Sequence, residues 1–188
     1  HHVVLSIVGT DRLLASQYFR AKRMQEDLIR ESGLAFSILR SAPLFELISA
    51  LVQEGGSNQV NIPRASVQPL ALEELAQALA DIVTGEPLNR MVEMRGPERF
   101  RLDELANEVL TAYDLPRHVC VDPQAHFLGA SLEDHSLLTG PNAVIARLPF
   151  ADWLSETLRA HTSEISLQLA VNATSKGFRC SGGFNCKP

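Results

Sequence analysis

A tyrosine and a lysine four residues apart are the pair in this sequence best suited to chemistry. Tyr18 and Lys22 lie in the stretch QYFRAK, and Ser6 lies upstream in the apolar run VVLSIV. On a helix, positions i and i+4 are neighbours on one face. A phenol held beside an ammonium, downstream of a serine at the end of a strand, suits reversible proton transfer to a carbonyl or alcohol oxygen.

That chemistry depends on the pKa of the Tyr18 phenol. A free phenol has a pKa near ~10 and is a poor base at neutral pH. A cation within ~4–6 Å lowers that pKa by roughly 1–3 units, and Lys22 is the obvious candidate. Ser6 would hold the substrate oxygen and donate a hydrogen bond as charge develops. The alternative is structural: Tyr18 anchors a helix on the core, Lys22 is a solvated cation, and Ser6 is a hydrogen-bonded strand serine.

The surrounding pattern predicts an α/β fold. Near-continuous apolar runs at residues 3–8 and 35–40 are typical of strands buried on both faces of a parallel sheet. A helix is predicted over 15–32, ending at Gly33, and a second from Pro43 to the glycine pair at 55–56. This alternation with short connectors indicates a parallel sheet with right-handed crossovers. Further helices are predicted over 72–84, 100–114 and 149–161, and extended segments at 60–63, 66–71, 91–97 and 117–123.

Composition excludes several classes of protein. The 188 residues carry a formal charge of −5, and an acidic chain without a basic stripe is a poor candidate for nucleic-acid binding. No apolar run reaches the ~18–20 residues that span a bilayer. Nothing at the start reads as a secretory leader, so a cytoplasmic localisation is expected. Three cysteines are too few for a disulfide framework. We therefore expect a small-molecule substrate as the partner, with neither nucleic acid nor membrane.

The end of the chain differs from the rest. From about Ser163 no helical or strand period is evident, and we predict a domain over 1–162 followed by an atypical tail over 163–188. Cys180 and Cys186 lie in that tail without a second cysteine pair, so a zinc site is not expected there. The three histidines at 118, 126 and 135 have spacings of eight and nine, which match no ligand motif, so no metal is expected.

The run from Ser6 through QYFRAK to SILRSAPLFE, with the later VEMRGPERFRLDELANEVL, resembles the short-chain dehydrogenase/reductase superfamily and, within it, the NmrA-like branch. The resemblance covers roughly residues 1–160. It implies a Rossmann-like doubly wound parallel sheet with a small α/β substrate lobe. The family's glycine-rich phosphate loop does not occur in this sequence, so the chain would correspond to the C-terminal portion of such a domain.

The resemblance also implies a cofactor, NADP or NAD, and a set of site residues. Tyr18, Lys22 and Ser6 would be catalytic. Tyr18 and Lys22 would also bind the cofactor, with Lys22 hydrogen-bonding the nicotinamide ribose. The other cofactor-binding residues would be Ser41, Ala42 and Pro43. Phe45 and Gln68 would line the substrate pocket, together with the stretch 126–138.

The implied function is that of an NAD(P)-dependent oxidoreductase acting on a small carbonyl or quinone-like substrate. Two alternatives stay open: a non-catalytic NAD(P)-sensing protein and an inactive gene fragment. We expect this chain alone to bind NADP weakly, because helix N-terminal amides and close glycine backbone normally hold the cofactor's phosphates.

Overall fold

A computed structural model of the chain describes residues 1–54 and 57–176, with side chains as far as residue 163. The described strands are β1 (His2–Ile7), β2 (Phe36–Ser41), β3 (Gln59–Ile62), β4 (Ser66–Val67), β5 (Arg90–Arg95), β6 (Phe100–Arg101), β7 (His118–Val121) and β8 (Val144–Ile145). The described helices are α1 (Gln17–Glu31), α2 (Phe45–Gln53), α3 (Leu72–Thr84), α4 (Leu102–Ala112) and α5 (Phe150–Lys176). The predicted α/β class is confirmed.

Four strands form the main sheet in the order β1-β2-β5-β8, and every neighbouring pair is parallel. Helices cover it on both faces, as in a doubly wound fold. On one face Ile29 of α1 packs with Val4 and Ile38. On the other, Leu75 of α3 packs with Leu39 and Met94. The alternation of inward positions along β2 places successive side chains under opposite helices.

A smaller α/β region lies beside the main sheet. It contains the parallel pair β3-β7 and the antiparallel pair β4-β6, with α2 and α4 packed together. Its core includes an aromatic group in which the Phe45 ring lies 5.3 Å from Phe150 and 5.1 Å from Trp153. These rings bury much of the apolar area in this region, which ties α2 to the start of α5.

The start of α1 and its end follow the local signals. Ser16 precedes the helix in an extended conformation, as at an N-cap, although its hydroxyl donates to the Leu128 carbonyl (2.7 Å) and not to the helix. Gly33, two residues past the helix, has φ +72°, a conformation that glycine adopts without strain. The helix is therefore stopped where the sequence predicts.

The last helix is longer than predicted. It runs on to Lys176, whereas the sequence pattern predicts an end near residue 161 and no helix beyond. Seven of the thirteen residues in the stretch 164–176 are good helix formers (Glu, Leu, Gln, Ala or Lys), and they favour a helix without an amphipathic period. The chain divides into two compact units, His1–Leu154 and Ser155–Pro188. Cys180 and Cys186 lie outside the described residues.

Among the described helices, none combines the length and the apolar character that a membrane crossing requires.

Candidate functional site

Tyr18 and Lys22 are carried by α1, which follows β1 after the loop 8–16. In parallel sheets the loops at the carboxyl ends of strands form the ligand-binding edge, and this loop leaves β1 at that edge. Gly9 within the loop has φ +93°, and an added Cβ would lie 3.0 Å from the Ser136 carbonyl oxygen. The loop is thus held tightly against a later segment, and it delivers the first turn of α1 to the sheet edge.

The Lys22 ammonium contacts the strand and not the Tyr18 phenol. Its Nζ donates to the Leu5 carbonyl (3.0 Å) and to Gln25 Oε1 (3.3 Å). No described hydrogen bond joins it to Tyr18. β1 is the outermost strand of the described sheet, and the Leu5 carbonyl is on the side away from β2. An unpaired edge carbonyl attracts the nearest long cationic side chain, which explains why the expected phenol–ammonium contact is not formed.

The pKa of the Tyr18 phenol is raised above its ordinary value by partial burial. The expected lowering by a neighbouring cation is therefore wrong for this arrangement, because the Lys22 ammonium is engaged at β1. The Tyr18 side chain remains 41% exposed and packs edge-to-face on Phe19, with the ring centroids 5.5 Å apart. Tyr18 is therefore accessible to a ligand, while its ring is held in place by contact with the buried Phe19.

Ser6 lies on the face of β1 that α1 covers. It is 2% exposed, its Oγ is 3.4 Å from the Thr10 hydroxyl, and it helps to lower the pKa of the Glu26 carboxyl. Even-numbered positions of β1 face α1, because Val4 packs on Ile29 of that helix. In this arrangement Ser6 belongs to a polar layer between the sheet and the helix.

Sequence reasoning missed the centre of that layer. Arg40 of β2 and Glu26 of α1 form two parallel hydrogen bonds, 2.8 Å from Nε to Oε1 and 2.7 Å from Nη2 to Oε2. Burial alone would raise the pKa of the Glu26 carboxyl, but hydrogen bonds from Arg40, Ser6 and Arg30 hold it below the ordinary value. The sequence did contain one signal for this pair. Arg40 lies in a strand predicted to be buried, and a buried charge requires a partner of opposite charge.

The segment Ser41–Ala42–Pro43 lies at the carboxyl end of β2 and is buried. Its backbone is engaged within the fold: the Ser41 carbonyl accepts from Val8 N–H (2.9 Å), and Ala42 N–H donates to the Met94 carbonyl (2.8 Å). The segment is at the correct edge of the sheet for a cofactor. Its described hydrogen bonds hold the three neighbouring strand ends in register.

The two residues predicted to line the substrate pocket are placed differently. Phe45 is 1% exposed and packs in the aromatic core, so a pocket-lining role for its ring is wrong for this arrangement. The physical reason is that Phe45 is the first residue of α2 and faces inward onto Phe150. Gln68 is half-buried, and its carbonyl accepts from Gly96 N–H (2.8 Å). That bond joins the segment after β4 to the turn after β5.

A cavity of about 360 Å³ lies between the loop after β1 and the segment 130–136. Its lining combines apolar and charged side chains, namely Arg12, Leu13, Ala15, Ala130, Ser131, Glu133, His135 and Ser136. Arg12 bridges the two sides by donating to the carbonyls of His135 (3.4 Å) and Leu138 (3.0 Å). The stretch 126–138 therefore contributes to this cavity, but Tyr18, Lys22, Phe45 and Gln68 do not line it.

The histidines do not gather into a ligand set. His135 Nδ1 lies 2.9 Å from Asp134 Oδ2, and His126 Nε2 lies 3.3 Å from the Ser131 hydroxyl. Within the described part of the chain, no three His, Cys, Asp or Glu side chains are grouped as a metal site would require.

Comparison with solved structures identifies the fold. A dTDP-glucose 4,6-dehydratase from Bacillus anthracis in complex with NAD matches 86% of this chain at a TM-score of 0.56 and 12% identity. An epimerase from Methanothermobacter thermautotrophicus matches 88% at 0.55 and 13% identity. A nucleoside-diphosphate-sugar epimerase from Staphylococcus aureus matches 64% at 0.52 and 12% identity.

These likenesses show a shared Rossmann-type fold. The chain spans 61%, 60% and 45% of the lengths of those three proteins. No protein-family model matches the sequence, and no curated relative matches it.

Proposed function

We propose that this chain contributes the Tyr18–Lys22 part of an NAD(P)-dependent oxidoreductase of the short-chain dehydrogenase/reductase type, in its NmrA-like branch. The substrate would be a small carbonyl or quinone-like compound. The observation that carries the proposal is the placement of an accessible tyrosine and a lysine one turn apart on α1, at the carboxyl edge of a doubly wound parallel sheet. A solved structure with this fold holds NAD.

Each residue would have a defined task. Tyr18 would protonate the oxygen of the carbonyl as it is reduced, and its raised pKa keeps the phenol protonated at neutral pH. Lys22 would leave the Leu5 carbonyl and turn to the ribose and the phenol. The Lys22 side chain is only partly buried, so this requires a change of rotamer and no rearrangement of the helix.

The described residues fit one half of a nicotinamide dinucleotide better than the other. When bound, the cofactor would supply or accept the hydride. Tyr18 and Lys22 are suited to its nicotinamide and ribose end, next to the segment Ser41–Pro43. Among residues 1–54 and 57–176, no glycine-rich turn leads from a strand into a helix, so the cradle for the diphosphate is not found there.

A second function is favoured by one observation. Among the described hydrogen bonds, the Lys22 ammonium binds the Leu5 carbonyl and the Ser6 hydroxyl is paired with Thr10, and none joins either group to the Tyr18 phenol. This favours a protein that binds NAD(P) and reports its state without turnover. The two functions differ in whether substrate is consumed.

The test is NADPH oxidation with a panel of small carbonyls and quinones. If the chain is a reductase, Tyr18→Phe lowers kcat by about 10²-fold or more, the range typical of general acid catalysis. Tyr113→Phe is the matched control, because it removes the chain's other phenol and leaves α1 intact. Cofactor binding without turnover on any substrate would instead establish the sensing function. Equal rates in Tyr18→Phe and Tyr113→Phe would exclude the proposed role of Tyr18.

A further inference from the structure

A buried ion pair joins α1 to the middle of the main sheet. Glu26 is fully buried and Arg40 is 3% exposed, and their fork-to-fork hydrogen bonds measure 2.8 and 2.7 Å. Two parallel bonds between planar groups fix an orientation as well as a distance. The function proposed above assigns no task to either residue.

The pair is embedded in a polar row that crosses three strands. Ser6, Arg40 and Glu93 are register partners on β1, β2 and β5. Asp11 Oδ1 lies 3.5 Å from Arg40 Nη1, so the charged groups facing Arg40 are Glu26, Asp11 and Glu93. Arg30 adds a third guanidinium bond to Glu26, at 2.9 Å.

Stability alone does not account for this arrangement. A buried ion pair is often no more stabilising than well-packed apolar residues of the same volume, so its distinctive property is direction. The apolar contacts of α1, through Phe19 and Ile29, hold the helix on the sheet but are non-directional. The two Glu26–Arg40 bonds add a directional contact between α1 and the sheet, and such a contact fixes the rotation of the helix about its axis more narrowly than apolar packing does.

We propose that the Glu26–Arg40 pair is a positioning device that fixes the rotation of α1 and thereby the directions of Lys22 and Tyr18. Glu26 follows Lys22 by one turn and Tyr18 by two. At 1.5 Å per residue the separation from Tyr18 along the axis is about 12 Å, and the Glu26 charge is neutralised by the adjoining Arg40 guanidinium. The coupling is therefore mechanical and not a direct charge effect. This inference rests on the proposed function of Tyr18 and Lys22.

The test measures the ionisation of Tyr18 directly. The chain has two tyrosines, so Tyr113→Phe leaves Tyr18 as the only phenol, and its titration is followed by phenolate absorbance. In that background the ion pair is replaced by the apolar double substitution Glu26→Leu with Arg40→Met. The matched control is Asp27→Asn, which removes a carboxylate from the next position of α1, where it binds Arg23 and Arg30 at the surface.

The double variant separates positioning from stability. We expect its urea midpoint to be no lower than the parent's. We also expect the Tyr18 pKa to move toward its ordinary value, because the ring is no longer held in its partly buried position. Once a substrate is identified, we expect kcat of the double variant to fall about tenfold or more, and KM to change by a smaller factor. Asp27→Asn should change none of these quantities.

A double variant with the parent's Tyr18 pKa and the parent's kcat would overturn the proposal. If the double variant does not fold, Arg40→Lys replaces it in the same comparison, because lysine keeps the charge and lacks the fork. A shifted Tyr18 pKa in a chain without any turnover would support the positioning role while excluding the reductase function.

Discussion

Replacing Glu26 by glutamine should cost this protein a large part of its stability. The carboxylate is fully buried and accepts three bonds from guanidinium groups, two from Arg40 and one from Arg30, at 2.7 to 2.9 Å. The glutamine amide has one acceptor oxygen, and its NH₂ group would face the guanidinium N–H donors of Arg40 and Arg30, with which it cannot form hydrogen bonds. The buried Arg40 guanidinium then keeps only Asp11 Oδ1, at 3.5 Å, as an ion-pair partner, so the cost should approach the value of about 3–5 kcal/mol typical of breaking a buried pair.

Urea unfolding at neutral pH measures this loss. With an m value of about 2 kcal/mol/M, the midpoint of Glu26→Gln should lie roughly 2 M below that of the parent. Asp27→Asn is the control, because Asp27 and its partners Arg23 and Arg30 are partly exposed, and ion pairs near the surface contribute about 0–1 kcal/mol.

The pH dependence provides an independent check of the same carboxylate. The pKa of Glu26 in the folded protein is below its ordinary value of 4.5, so its stabilising contribution is present above that pH. The contribution is lost as the pH falls through the folded-state pKa. The difference in stability between the parent and Glu26→Gln should therefore shrink in acid. A difference under about 1 kcal/mol at neutral pH, or one that is constant down to acid, would refute the reasoning.

Two further substitutions test the surroundings of the site. Gly96→Ala places a Cβ only 1.7 Å from the Pro69 carbonyl oxygen, so the backbone must shift. We expect the free energy of unfolding in urea to fall by about 1–3 kcal/mol or more. An unchanged midpoint would contradict the close approach of these two segments. Phe45→Ala removes a ring that is 1% exposed and should cost about 3–5 kcal/mol, with a change in the fluorescence of the neighbouring Trp153. A cost under about 1 kcal/mol would instead return Phe45 to the pocket-lining role predicted from the sequence.

Local signals sufficed for the order of the helices and of the longer strands, but β8 was not predicted and β6 lies inside the predicted helix over 100–114. Two apolar runs predicted β1 and β2, and Gly33 and Gly85 stand just past α1 and α3, as predicted. The α/β class follows from that alternation, because strands buried on both faces need helices between them. The helix over 164–176 was missed because its composition favours helix while its pattern has no period.

The candidate site was harder to predict because its contacts are set by distant segments. The spacing of Tyr18 and Lys22 is a property of one helix, but the position of the Lys22 ammonium depends on an edge carbonyl of β1. Similarly, the burial of Ser6 depends on which face of β1 meets α1. The Glu26–Arg40 pair joins residues fourteen positions apart on two elements. No local period encodes such a pairing.

The role of Tyr18 as proton donor beside the nicotinamide is tested most directly by its own ionisation. In the Tyr113→Phe background, the Tyr18 phenol is titrated with and without saturating NADP⁺, and binding is checked separately by NADPH fluorescence. Alone, the pKa should lie above the ordinary value of 10.0 because of burial. With NADP⁺ bound it should fall, since the oxidised nicotinamide and the released Lys22 ammonium both favour the phenolate. An identical Tyr18 pKa with and without bound NADP⁺ would contradict the proposed site.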